Sequence, residues 1–88
     1  MANFIGGSAP AMASQIAEGF VLLNLNNLKG FLPGDLGNLR QEIDKLLREV
    51  RSLSPPADDA LAQQVRNRKI VRLSSAMQVI QAKAMARN

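Results

Sequence analysis

The sequence predicts an all-α protein in which the second and third of three helices form an antiparallel hairpin across a Ser-Pro-Pro corner. Turn residues at 29–35 (KGFLPGD) and 52–56 (SLSPP) divide the chain into three stretches. In the last two stretches, apolar residues recur at spacings of three and four, which is typical of helices. Eighty-eight residues suffice for one small core, so we expect a single domain over 1–88.

The first helix is predicted over 9–28, after a flexible arm at 1–8. Ser8 is the expected N-cap, and Lys29 with Gly30 provide the expected stop. The second half of this stretch is apolar in too many directions for one hairpin to cover, so we expect cover from another chain. The assembly contacts assigned to it are Phe20, Leu22, Leu25 and Leu28.

The second helix is predicted over 36–53, with Asp35 as its N-cap. Its apolar residues follow a heptad seam that Leu53 extends, but the seam is too short for a stable free-standing coiled coil. We therefore expect the seam to pack within the chain and to contribute to assembly. The residues assigned to this packing interface are Leu36, Leu39, Ile43, Leu46 and Val50.

The third helix is predicted over 55–86, with Ser54 as its N-cap. A second apolar seam should dock on the second helix, and it consists of Ile70, Leu73, Met77 and Ile80. Residues 1–60 hold five cations and seven acids, whereas 61–88 hold six cations and no acid. Those six cations are Arg66, Arg68, Lys69, Arg72, Lys83 and Arg87.

This cationic set predicts contact with an anionic partner, with an ordinary solvated helix face as the equal alternative. The candidate partners are a nucleic-acid backbone, an acidic protein and the acids of a neighbouring copy, including Glu18, Asp35, Asp58 and Asp59. A membrane surface is less favoured, because the large apolar anchors expected opposite a basic face are missing.

No catalytic, cofactor or metal site is predicted. The chain lacks His and Cys, which excludes Cys–His and Ser–His nucleophile pairs and the usual zinc ligands. The stretch IGGSAP has neither the spacing nor the Lys of a phosphate-binding loop. We therefore expect a protein that is not an enzyme and takes no small-molecule substrate. No secretory signal is recognisable, so the expected location is the cytoplasm by default, or outside it by another export route.

The stretch NLRQEIDKLLREVRSLSPPADDALAQQV resembles the helix–proline corner–helix of type III secretion needle subunits. It covers less than a third of the chain, and both the apolar first segment and the basic last helix depart from that family. The resemblance implies that such a layout can belong to a subunit of an assembly, and it transfers no site residues. The predicted function is a structural protein that self-assembles into homo-oligomers or filaments. The alternatives are non-specific nucleic-acid packaging and an adaptor that docks on another protein.

Overall fold

The computed structural model describes residues 4–85 and contains three α-helices and one short 3₁₀ helix in this part of the chain. The helices are α1 (Ala9–Glu18), α2 (Pro33–Ser52) and α3 (Ala60–Met85), and the 3₁₀ helix spans Asn26–Leu28. Residues 4–85 include no β-strand, which confirms the predicted all-α class.

Helices α2 and α3 form the predicted antiparallel hairpin. At the corner, the Arg66 side chain of α3 binds backbone carbonyls at the end of α2. At the far end, Leu36 near the start of α2 lines the same groove as Ile80 near the end of α3. The start of one helix therefore lies beside the end of the other. The Cα extents are 49 × 24 × 18 Å, so the protein is only about two helix diameters wide.

The prediction of one helix over 9–28 was wrong, because α1 ends at Glu18. Gly19 has φ of +86°, a left-handed conformation that favours glycine. Its N–H donates to the Ile16 carbonyl, and the Phe20 N–H donates to that of Gln15, which satisfies the last carbonyls of the helix. The predicted cap at the start was correct, since the Ser8 hydroxyl accepts from the Ala11 N–H at 3.2 Å.

The segment after α1 is extended, and its side chains alternate between the two sides of the chain. Val21 and Leu23 face the core, whereas Phe20 and Leu22 face solvent. Asn24 and Asn27 then close a turn, in which each side-chain oxygen accepts from the other residue's backbone N–H. This local pairing competes with helix formation and is a second reason why the predicted helix does not continue.

The starts of the two longer helices also differ from the prediction. Helix α2 begins at Pro33, and Asp35 lies inside its first turn, where the carboxylate accepts from the Leu32 N–H at 2.9 Å. Helix α3 begins at Ala60 instead of 55, because Asp59 caps it by accepting from the Ala62 N–H at 3.0 Å. Ser54 does not cap α3, since Pro56 disfavours a helical conformation for the residue before it. The predicted end at 86 lies outside the described residues.

The core is formed by one stripe from each helix and by the segment before α2. Helix α1 contributes small residues at helical spacing, so it approaches both hairpin helices closely. In α2 the buried stripe passes through Leu47, while the predicted Leu46 is only half-buried. The buried residues are Ala9, Met12, Ala13, Ile16, Ala17, Leu23, Leu28, Phe31, Leu36, Leu39, Ile43, Leu47, Val50, Leu73, Ala76 and Ile80.

The arm predicted at 1–8 is not free over its described part. The Phe4 ring meets the Phe31 ring edge-on, with centroids 5.2 Å apart, and Ile5 also packs against the core. Such an aromatic pair adds about 0.5–1.5 kcal/mol beyond the area it buries. Residues 1–3 of the predicted arm lie outside the described residues.

Helix α1 is too short to cover the whole hairpin. Its ten residues span about 15 Å, whereas the 26 residues of α3 span about 39 Å. We call 33–47 and 73–85 the covered half of the hairpin, and 48–72 the corner half. Val50 is the only buried residue of the corner half.

Candidate interaction surface

Arg66 binds the end of α2 within its own chain. Its Nε donates to the Leu53 carbonyl at 2.9 Å, and its Nη2 donates to the Arg51 carbonyl at 3.1 Å. The last carbonyls of a helix have no partner within the helix and carry partial negative charge, so a guanidinium stabilises them. Arg66 is therefore a C-cap for the neighbouring helix of the hairpin.

Arg72 likewise binds the end of α1. Its Nη1 donates to the Ala17 carbonyl at 3.1 Å, in the last turn of that helix, and the contact is partly buried. The guanidinium also packs on Gly19, where an added Cβ would lie 2.8 Å from Arg72 Cζ. The glycine is thus needed twice, for its left-handed backbone and for the close approach of the arginine.

Lys69 and Glu18 form an ion pair between α3 and the end of α1. The Lys69 Nζ is 3.2 Å from a Glu18 carboxylate oxygen, and the lysine is the more buried of the two. Exposed pairs of this kind contribute about 0–1 kcal/mol. Glu18 had been predicted to meet the cations of another copy, whereas in the structure it meets a cation of its own chain.

The other three cations of the predicted set are Arg68, Lys83 and Arg87. Arg68 is exposed and forms no ion pair with any residue from 4 to 85. Lys83 lines a groove of about 790 Å³ at the far end of the hairpin, together with Arg40, Phe31 and Met85. Arg87 lies outside the described residues. Three of the six cations therefore have partners within the chain, and contact of the set with an anionic partner stays a prediction.

The segment after α1 presents apolar side chains to solvent. Phe20 is 81% exposed, Leu22 is 82% exposed and Leu25 is 53% exposed. We call residues 20–25 the exposed loop. The loop begins at Gly19, against Arg72, so its position relative to α3 is fixed.

A second apolar surface lies at the corner of the hairpin. Leu53 is 55% exposed and Leu61 is 71% exposed, and with Val65 they line a groove of about 540 Å³. Ala62 and Pro55 complete its apolar wall, and its polar lining is formed by Ser54, Asp59, Arg66 and Lys69. We call this the corner groove.

The predicted packing interface divides into two groups. One group is buried within the chain or packs against its core. Its members are Leu28, Leu36, Leu39, Ile43, Leu46, Val50, Ile70, Leu73, Met77 and Ile80. The other group, Phe20, Leu22 and Leu25, remains exposed.

Leu61 and Val65 are not among the predicted contact residues, although a signal for them exists. With Arg68 and Arg72 they follow spacings of four, three and four, which is one face of a helix. That face lies beside the predicted seam and not on it, so neither residue was assigned to the packing interface.

Neither a metal site nor a membrane-spanning helix is found among the described residues. Within 4–85, no group of three or more acidic side chains comes together in a way that could hold a metal ion. No helix in this part of the chain combines the length and apolar character needed to cross a membrane.

Over residues 4–85, the fold is that of a small three-helix protein, and the exposed loop and the corner groove present apolar side chains outside its core. Comparison of the chain with protein-family models, with curated proteins and with solved structures found no match.

Proposed function

We propose that this protein is not an enzyme and acts by self-assembly, and that the exposed loop provides the main contact between copies. The observation that carries the proposal is the exposure of Phe20 and Leu22, each more than four-fifths accessible to solvent. Each large apolar side chain left in water forgoes roughly 1.5–3 kcal/mol of burial. Two such side chains next to each other favour contact with another protein surface.

The exposed loop has a fixed conformation because both of its ends and two of its side chains are bound to the rest of the chain. Gly19 fixes its start, Asn24 and Asn27 close its end, and Val21 and Leu23 anchor it from below. A pre-organised apolar surface loses little conformational entropy when it binds, which favours its use as an interface.

The cations support this proposal over nucleic-acid packaging. Arg66, Lys69 and Arg72 have partners within the chain, so fewer positive groups are free to bind phosphates than the sequence suggests. Binding to nucleic acid depends on the number of phosphates neutralised, so these cations would have to exchange partners.

Sedimentation velocity over a concentration series tests the proposal. We expect the wild-type chain to form oligomers at tens of micromolar, and Phe20→Ser with Leu22→Ser to give monomers of unchanged helicity by circular dichroism. The matched control is Leu32→Ser with Met85→Ser, which removes two exposed apolar side chains elsewhere and should leave the oligomer intact. A wild-type chain that sediments as a monomer would overturn the proposal.

A further inference from the structure

Helix α1 lies against both helices of the hairpin in the covered half, and only its last turn reaches the corner half. It ends at Glu18, whose partner Lys69 lies in the corner half of α3. Beyond that point, the surface of α2 and α3 continues toward the corner with no helix on it. The corner groove occupies this uncovered stretch. Lys69 lines the groove and also forms the ion pair with Glu18.

The groove has the size and lining of a binding site for an apolar segment. Its volume of about 540 Å³ lies within the range of about 300–1,000 Å³ typical of ligand pockets. Leu53, Leu61 and Val65 give it an apolar wall, and the three come from the two sides of the hairpin corner. A segment that presents adjacent large apolar side chains, without a charge between them, is the matching occupant.

The exposed loop and the corner groove share one face of the molecule. Leu61, Val65, Arg68 and Arg72 lie on one side of α3, and Arg72 packs on Gly19 at the start of the loop. Arg72 follows Val65 by seven positions, which corresponds to about 10 Å along the helix axis. The start of the loop, at Gly19 against Arg72, therefore lies about two turns of α3 from the groove.

We infer that a second copy of this chain fills the corner groove with its exposed loop, and that the exchange is reciprocal. This rests on the proposed function and specifies its geometry. Since loop and groove are neighbours on one face, a two-fold axis between them brings each loop onto the other copy's groove. The product is a closed dimer with two identical loop–groove contacts.

The available apolar area is sufficient for a dimer. From their exposed fractions, the large side chains of loop and groove present roughly 500–600 Å² per copy, against roughly 450 Å² of apolar area per partner in a standard interface. Loop and groove together can therefore supply the apolar part of a standard interface.

The charges near the proposed axis give a second, independent signature. The corner half carries six cations and three acids, and Arg68 is exposed on the shared face. Pairing two copies brings like charges together, so added salt should screen the repulsion and tighten the dimer. A complex with nucleic acid or an acidic protein would weaken with salt instead.

The test is a mixing experiment with the full chain, followed by sedimentation velocity. The loop variant is Phe20→Ser with Leu22→Ser, and the groove variant is Leu61→Ser with Val65→Ser. We expect each alone to weaken dimerisation at least about 100-fold, because both contacts are lost. Mixed in equal amounts, they should form a heterodimer at least about tenfold tighter than either homodimer, because one loop and one groove remain intact.

Several outcomes would overturn the inference. Oligomers that survive the groove variant would exclude the groove while leaving self-assembly through the loop in place. Two weakened variants that fail to recover on mixing would exclude the loop–groove pairing. A dimer that weakens as sodium chloride rises would contradict the predicted charge arrangement, and a monomeric wild type would overturn this inference together with the proposed function. Should the groove variant lose helicity, Leu53→Ser probes the same wall from α2.

Discussion

The covered and corner halves of the hairpin have similar helices but different neighbours. In the covered half, α1 lies on both helices, and side chains such as Leu39, Ile43 and Leu73 are completely buried. In the corner half only the last turn of α1 reaches α3, and Val50 is the only buried residue. The sequence pattern changes little between the halves, since apolar residues continue at helical spacing through Leu53, Leu61 and Val65.

This difference shows that an amphipathic pattern does not determine burial. An apolar stripe on a hairpin is buried only where a further element lies against it, and here the position of Gly19 sets the limit of that element. What remains uncovered is an apolar surface in a chain whose core is otherwise complete. Substitutions matched between the two halves can test whether this surface has a stabilising role in the monomer.

The largest expected difference in stability between the two halves comes from introducing a charge into each. Ile43→Asp puts a carboxylate into the fully buried seam without a partner, and we expect a loss of at least about 4 kcal/mol, enough to unfold a domain of this size. Leu53→Asp puts the same group at the half-exposed corner and should leave the fold intact. Far-UV circular dichroism with urea unfolding measures both. A folded Ile43→Asp variant would contradict the predicted hairpin core.

The next largest expected difference in the free energy of unfolding comes from truncating a leucine to alanine in each half. Leu73→Ala leaves a cavity beneath α1, and we expect it to lower the free energy of unfolding by about 2–5 kcal/mol. Leu61→Ala, at a largely exposed position of the same helix, should change it by no more than about 0.5 kcal/mol. Both are measured by urea denaturation in dilute solution, where no dimer contributes. Equal losses would mean that the corner half has a core of its own.

The smallest difference concerns the arginine caps. Arg72→Met retains an apolar stem but removes the bond to the Ala17 carbonyl, and we expect a loss of about 1–2 kcal/mol because that contact is partly buried. Arg66→Met removes two bonds at the exposed corner and should cost about 0.5–1 kcal/mol. Thermal melts monitored by circular dichroism compare them. A cost for Arg66→Met equal to or above that for Arg72→Met would show that the corner end of α2 is held as firmly as the end of α1.

The hairpin could be predicted from the sequence because its signals are local. The apolar residues of α2 recur at helical spacing, and the two prolines at 55 and 56 interrupt any continuous helix. The N-cap at Ser8 follows from the same kind of local chemistry, since a hydroxyl three residues before a free N–H suffices.

The end of α1 could in principle have been read from the sequence, and the prediction chose the wrong glycine. Gly30 was predicted as part of the stop, whereas α1 ends before Gly19, and both glycines adopt left-handed conformations. The apolar run after Gly19 resembles a buried helix segment, because a short apolar stretch does not distinguish a helix from an extended chain. Alternation of buried and exposed residues over 20–23 is visible only once the core is known.

The sequence by itself determined the all-α class and the helical hairpin, because these depend on apolar residues three to four positions apart. Only the tertiary structure determined which groups the cations of α3 contact. Arg66 binds carbonyls 13 and 15 residues away, and Arg72 binds one 55 residues away. Those carbonyls need a partner because they lie at helix ends, and they meet the arginines because antiparallel packing brings the end of each helix beside α3. No pattern within α3 contains that information.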